Sequence, residues 1–269
     1  MIQLVTQMRS LKPGSRWTII LGIGLAAVVI VAFLPPIPQP ISYHNFADQR
    51  RIFGIPNAAD VLSNLPFVIV GLAGLFFTLR PTSDFNAAER WTYICLFTGL
   101  FLTGVGSAYY HLAPDNQRLI WDRLPMTIAM AGVVGALLVD RLGSKLAGVV
   151  PVLMALGLGS VIQWGLSEQH GNGDLRWYAL YQGMVMIFVA ELLVMFPSRN
   201  DGTRAFAIAA LANLAAKVFE LLDVQIYQLG GIVSGHTLKH LSASLGFISL
   251  LIVVYRRKRP SSAATRTDS

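Results

Sequence analysis

Three of the five histidines in this chain stand where helices can bring them together. In Ser234-Gly235-His236-Thr237-Leu238-Lys239-His240, the two histidines are four residues apart. On a helix they share one face, as a bidentate metal pair requires. The run Gly104-Val105-Gly106-Ser107-Ala108-Tyr109-Tyr110-His111 spaces Ser107 and His111 in the same way. Trp121-Asp122-Arg123-Leu124-Pro125-Met126 then supplies a carboxylate. Three neutral imidazoles with one open position are a usual catalytic zinc arrangement, in which the ion lowers the pKa of its water to about 7. A carboxylate such as Asp122 can then shuttle protons, and a hydroxyl such as Ser107 can steady a developing oxyanion. Lys239, between the two histidines, is expected to point away from them. No glutamate follows His236, which excludes the H-E-x-x-H pattern of zinc peptidases. Taken singly, each part has a plainer reading. A histidine pair can hydrogen-bond helices together, His111 can be interfacial, and an acid near a helix start suits the macrodipole.

The elements that must position these groups are membrane spans. The 269 residues are 54% hydrophobic and 13% charged, about half the charge of a soluble domain. Eight stretches reach the roughly 20 apolar residues that a crossing needs: 17–35, 58–79, 91–111, 118–139, 146–166, 176–196, 205–226 and 234–255. The fold class is therefore an all-α integral membrane protein. A signal peptide is the alternative for the first stretch, because Arg9, Lys12 and Arg16 precede it. Its apolar run is longer than a typical h-region and no A-x-A-like site follows, so it reads as a retained helix. Pro35-Pro36-Ile37-Pro38-Gln39-Pro40 is a stiff extended connector. Cys95 stands alone, which excludes a disulfide framework or a cysteine metal site.

The net charge of +7 raises the question of nucleic acid. The basic residues form no groove-like patch, and they sit at the ends of the apolar runs. With the N-terminus inside, fourteen Lys and Arg fall in inner segments. These are Arg9, Lys12, Arg16, Arg80, Arg90, Arg141, Lys145, Arg199, Arg204, Arg256, Arg257, Lys258, Arg259 and Arg266. Four are outer or at outer borders: Arg50, Arg51, Arg118 and Arg176. Such asymmetry predicts both termini in the cytoplasm. It also places His111, Asp122 and His236 at the outer ends of their helices, at matched depth, which the charge count did not demand. Trp121, Trp164 and Trp177 would form an outer aromatic belt.

Other polar groups fall inside spans, where ionisable side chains are functional candidates. Lys217 and Glu220 are spaced to pair, either as a second shell or as an ion pair that ties helices together. Asp223 is the best candidate to orient a metal-binding histidine. Glu191 lies near an inner end, where reaching headgroups is easy. His44 and His170 read as ordinary surface residues.

The three-part pattern resembles the alkaline ceramidase family, within a superfamily of seven-helix membrane hydrolases that includes adiponectin-receptor relatives. The match is Ser107 with His111, Asp122 followed by Leu124-Pro125-Met126, and His236 with His240, across about 45–255. The resemblance implies a seven-helix hydrolase domain at 45–255. Residues 1–44 then carry an additional N-terminal transmembrane helix and connector, and 256–269 form a basic cytoplasmic tail. It further implies zinc on His111, His236 and His240, with Asp122 and Ser107 catalytic. The activity implied is hydrolysis of a ceramide-like lipid, in a multi-pass protein of a bacterial inner membrane. Arg123 departs from the glutamate usual before Leu-Pro-Met. The acidic calcium-binding segment is also not clearly kept, because 46–64 retains only scattered acids and a Ser63-Asn64 ending, so a Ca2+ site is not expected. Other readings stay open: a hydrolase of another amide- or ester-linked lipid, a zinc-stabilised receptor without turnover, and a transporter using Lys217, Glu220 and Asp223. A haem protein with axial histidines is a further one, against which His236 and His240 on one face favour a single shared ion. No inverted repeat of the transporter kind is visible.

Overall fold

The computed structural model describes residues 2–198 and 202–257. Arg199, Lys258, Arg259, Arg266 and the rest of the tail from 258 lie outside the described residues. The chain is helical, and the described residues contain no strand beyond an isolated Ile52–Ile55 bridge. The helices are α1 (Ile2–Ser10), α2 (Pro13–Phe33), α3 (Ala58–Leu62), α4 (Leu65–Leu79), α5 (Ala87–Leu112) and α6 (Asn116–Leu142). After them come α7 (Val149–Gln169), α8 (Arg176–Met195), α9 (Thr203–Leu221), α10 (Asp223–Gln228) and α11 (Gly235–Arg256).

Among the described residues, seven segments are long and apolar enough to cross a membrane: α2, Ala58–Leu79, α5, α6, Ser144–Gln169, α8 and α11. The stretch expected at 205–226 is the 19-residue α9, which stops at Leu221, ahead of the separate α10. Three charged residues, Arg204, Lys217 and Glu220, keep α9 out of that set. The stretch expected at 58–79 is interrupted at Ser63-Asn64, where α3 ends and α4 begins with Pro66 in its first turn. Local chemistry explains several boundaries. Asn86 and Glu89 form a reciprocal capping box at the start of α5. Asp115 accepts from the Arg118 amide at α6, and Ser234 accepts from the Thr237 amide at α11.

Helix contacts close a ring in the order α4, α5, α6, α7, α8, α9, α11 and back to α4, with α2 lying against α8. Leu21, Leu25, Ile30 and Phe33 of α2 face outward, an apolar surface that suits lipid rather than water. One end of the ring is cationic. Arg9, Arg16 and Arg141 donate to the Val194, Met195 and Phe196 carbonyls that end α8. At the same end Arg80 donates to the Tyr255 carbonyl, and Arg257 pairs with Glu89 at 3.2 Å.

The opposite end holds the end of α5 and the starts of α4, α6 and α11, and a proline shapes its packing. Pro125 lies inside α6 and has no N–H for the carbonyl four residues earlier, which belongs to Trp121. That carbonyl faces α5 at Gly106, so closely that a Cβ there would lie 2.1 Å from its oxygen. The two helices therefore touch beside Ser107 and Asp122. Gly106→Ala should lower stability by about 1–3 kcal/mol through overpacking. Gly159→Ala, with nothing within 4 Å of its Cβ, should be tolerated. Thermal unfolding of the purified protein in detergent measures both.

Candidate metal centre

His111 comes from the last turn of α5, and His236 and His240 from the first two turns of α11. They are 1%, 3% and 4% exposed, and their ligand atoms lie within 4.8 Å of one another. Nε2 of His236 is 3.3 Å from Nε2 of His111. Two nitrogens bound about 2.0–2.1 Å from one tetrahedral ion stand about 3.3–3.4 Å apart, so this edge already has the spacing of a metal site. The donor set and its burial fit a divalent transition metal.

Hydrogen bonds orient the ring of His240 and the backbones of His236 and His111. The interruption between α3 and α4 presents Ser63, whose Oγ is 2.8 Å from Nδ1 of His240. The same hydroxyl donates to the Asp60 carbonyl at 2.9 Å. A hydroxyl has one proton, so Ser63 accepts from His240, which carries its hydrogen on Nδ1 and leaves Nε2 free to ligate. The Asp60 carboxylate in turn accepts from Thr237 at 2.7 Å, tying α3 to α11. Asp223 accepts from the His236 amide at 2.7 Å and from the Ala47 amide at 3.0 Å. Its role differs from the expected one: it fixes the backbone of His236 and the 39–50 segment rather than an imidazole. Asn57, in left-handed conformation (φ 47°), donates to the His111 carbonyl at 2.9 Å. Phe46 covers the cluster, its ring centroid 4.3 Å from that of His236 and 4.6 Å from that of His111. Nδ1 of His111 is buried without a partner among the described residues.

Ser107 and Asp122 are both buried, where Gly106 of α5 meets the Trp121 carbonyl and the Asp122 amide of α6. Lys239 is not where the sequence suggested. It lies three residues after His236 and so shares its side of the helix, and its flexible stem brings Nζ to 3.4 Å from Nε2 of His236. Glu220 anchors that ammonium at 2.7 Å and pairs with Lys217 at 2.5 Å. Tyr43 donates to the same Glu220 oxygen at 3.2 Å, and burial pushes its phenol above its ordinary pKa. His44 is half-buried rather than a surface residue, bonded to Tyr110 at 2.8 Å and Asn116 at 2.9 Å. His170 is exposed, as expected. Glu191 does not reach the surface, since both its oxygens are buried without partners among the described residues. Near the surface, Arg50 donates to Asp48 and to the Ile232 carbonyl, holding the Asp48 carboxyl below the usual carboxylate range.

Sequence reasoning missed Ser63, Asn57, Phe46 and Tyr43 as site residues. Only Ser63 left a trace, in the polar Ser-Asn pair ahead of Leu65-Pro66 inside an otherwise apolar run.

A helical bundle with a buried three-histidine cluster at one end of its helices defines a candidate metalloprotein. No family model and no curated protein matches the chain. The purified protein should take up about one divalent transition metal per chain, and His240→Ala should abolish that uptake. Ser63→Ala should weaken it by about 10–100-fold, as loss of a partner that orients a ligand does. Competition against a chelator of known affinity reads both. Undiminished uptake by His240→Ala would remove the assignment.

Proposed function

We propose that the chain is a zinc-dependent intramembrane amidohydrolase of the alkaline ceramidase type, cleaving ceramide-like N-acyl lipids into a fatty acid and an amine. The observation that carries this reading is the close contact of α5 and α6 at Gly106, which sets buried Ser107 and Asp122 at the end of the bundle that holds the three-histidine cluster. A closed structural site needs no buried carboxylate–hydroxyl pair beside it. Zinc held by three imidazoles supplies a Lewis acid that polarises an acyl carbonyl and acidifies water.

The remaining work falls to side chains. Asp122 takes a proton from the attacking water and returns it to the leaving amine. Ser107 holds the carboxylate while it is charged. Once Asp122 is protonated, the Ser107 hydroxyl is free to turn its single proton toward the developing oxyanion. Asp122→Asn should keep the metal and the fold yet lose about 10²–10⁴-fold in turnover. Ser107→Ala should lose about 10–10³-fold. Release of fatty acid from N-acyl lipids in detergent or liposomes is the assay. An Asp122→Asn protein as active as wild type would refute the assigned role.

A second reading, a zinc-stabilised receptor without turnover, draws on Phe46, which packs over the imidazoles and shields them. A zinc-loaded wild type that hydrolyses no acyl lipid would favour it.

For topology, we read eight spans, with α9 crossing inside the ring and α2 the addition to a seven-helix domain. The cationic end faces the cytoplasm of a bacterial inner membrane, and the metal centre faces outward. The arginines gathered at the end away from the histidines support this orientation. Reporter fusions after Arg141 and after Gly171 should report opposite sides. The same side from both would overturn the eight-span reading.

A further inference from the structure

Next to Asp122 on α6, the Arg123 side chain is 5% exposed. Its guanidinium lies 4.3 Å from the ring centroid of Trp164, 5.0 Å from that of Tyr178 and 5.6 Å from that of Tyr43. Nη2 donates to the side-chain carbonyl of Gln39 at 2.6 Å, and Nη1 is buried with no hydrogen-bond partner among the described residues. No carboxylate stands within ion-pair distance of Arg123 among the described residues.

This is an unusual way to keep an arginine. A guanidinium stays charged at any physiological pH and carries its donors in a rigid fork shaped for carboxylate or phosphate. Burying such a charge without an anion is strongly unfavourable. Ring faces offset part of that, but they accept nothing in the plane of the fork. One arm of this fork rests on a neutral amide and the other on nothing. The fork is also linked to the metal centre. The Tyr43 ring that covers it carries the hydroxyl bonded to Glu220, and Glu220 holds Lys239 beside His236. One aromatic ring and one ion pair therefore separate the fork from a metal ligand.

We propose that Arg123 is the specificity-determining residue of this site, receiving an oxyanion, a carboxylate or a phosphate, on the amine side of the N-acyl substrate. The proposal rests on the hydrolase reading for the word substrate, but the binding it describes does not depend on turnover. A neutral ceramide headgroup offers hydroxyls, which leave the buried charge uncompensated. An acidic headgroup completes both arms of the fork.

The test compares N-dodecanoylglycine and phosphorylated N-dodecanoylethanolamine with neutral N-dodecanoylethanolamine on the full-length protein in detergent. Binding is read by calorimetry, and hydrolysis is assayed separately. Wild type should bind at least one of the acidic lipids about 10- to 100-fold more tightly than the neutral one, as a charge-assisted hydrogen-bonded pair provides. The tighter of the two acids names the group. Arg123→Gln should lose that preference while keeping its affinity for the neutral lipid, and Arg123→Lys should keep part of it. If Arg123→Gln does not fold, the wild-type ratio decides, and Gln39→Ala, which leaves the guanidinium in place, should preserve it. Equal affinity for acidic and neutral lipids in wild type overturns the proposal. So does Arg123-dependent binding of acetate or inorganic phosphate without any preference for acidic lipids, which would mark a site for free anions. An acid preference without hydrolysis sinks the hydrolase reading and leaves this one standing. Hydrolysis of the neutral lipid without an acid preference sinks this one alone.

Discussion

Three imidazoles buried side by side set a demand that the surrounding bundle has to meet. Each ring brings a donor and an acceptor into the buried end of the bundle, and a buried polar group left unpaired costs about 1–3 kcal/mol. Ser63 takes the hydrogen of His240, Asp223 and Asn57 fix the backbones of His236 and His111, and the inward nitrogens are left to one another. Several irregularities of the fold serve this arrangement. The interruption between α3 and α4, the left-handed Asn57 and the end of α9 at Leu221 each set a polar group against a histidine or its backbone. Regular helices would keep those groups on their own ladders.

The same logic extends one layer outward. Glu220 is shared by Lys217, Lys239 and Tyr43, so the ammonium beside His236 is neutralised by a neighbouring helix rather than by the imidazoles. Pro125 acts through what it lacks: without its N–H, the Trp121 carbonyl turns toward Gly106 and brings α6 onto α5 where Asp122 and Ser107 meet. Backbone chemistry thus explains why a proline follows so closely on the acid.

Much of this was legible in the sequence. The spacing of His236 and His240, and of Ser107 and His111, fixes faces on helices, and apolar runs with charged borders fix which helix ends lie together. The helices follow the expected stretches except where polar residues interrupt them, at Ser63-Asn64 and after Leu221. Other features could not be read from periodicity. Lys239 lies one residue from His240 and on the His236 side of the helix, and only its flexible stem and the position of Glu220 decide where its ammonium goes. The Pro-rich connector reads as a spacer, yet it and the residues that follow pack Gln39, Tyr43 and Phe46 over the bundle. Those contacts span more than sixty positions in the chain, a separation at which local pattern carries no information.

The ring closes between its first and last helices, α4 and α11, and the imidazoles follow suit: His111 and His236 lie 125 positions apart. A nascent chain emerges N-terminus first. Throughout most of synthesis it therefore presents a single ligand, too few to hold an ion. Capture of any ion that these imidazoles hold would wait until the final helix has been made and has found its place in the ring, so metal content would report completion of assembly. A chain stopped before residue 236 has every other helix of the ring but only one of the three imidazoles, and the cell would meet it without the cluster.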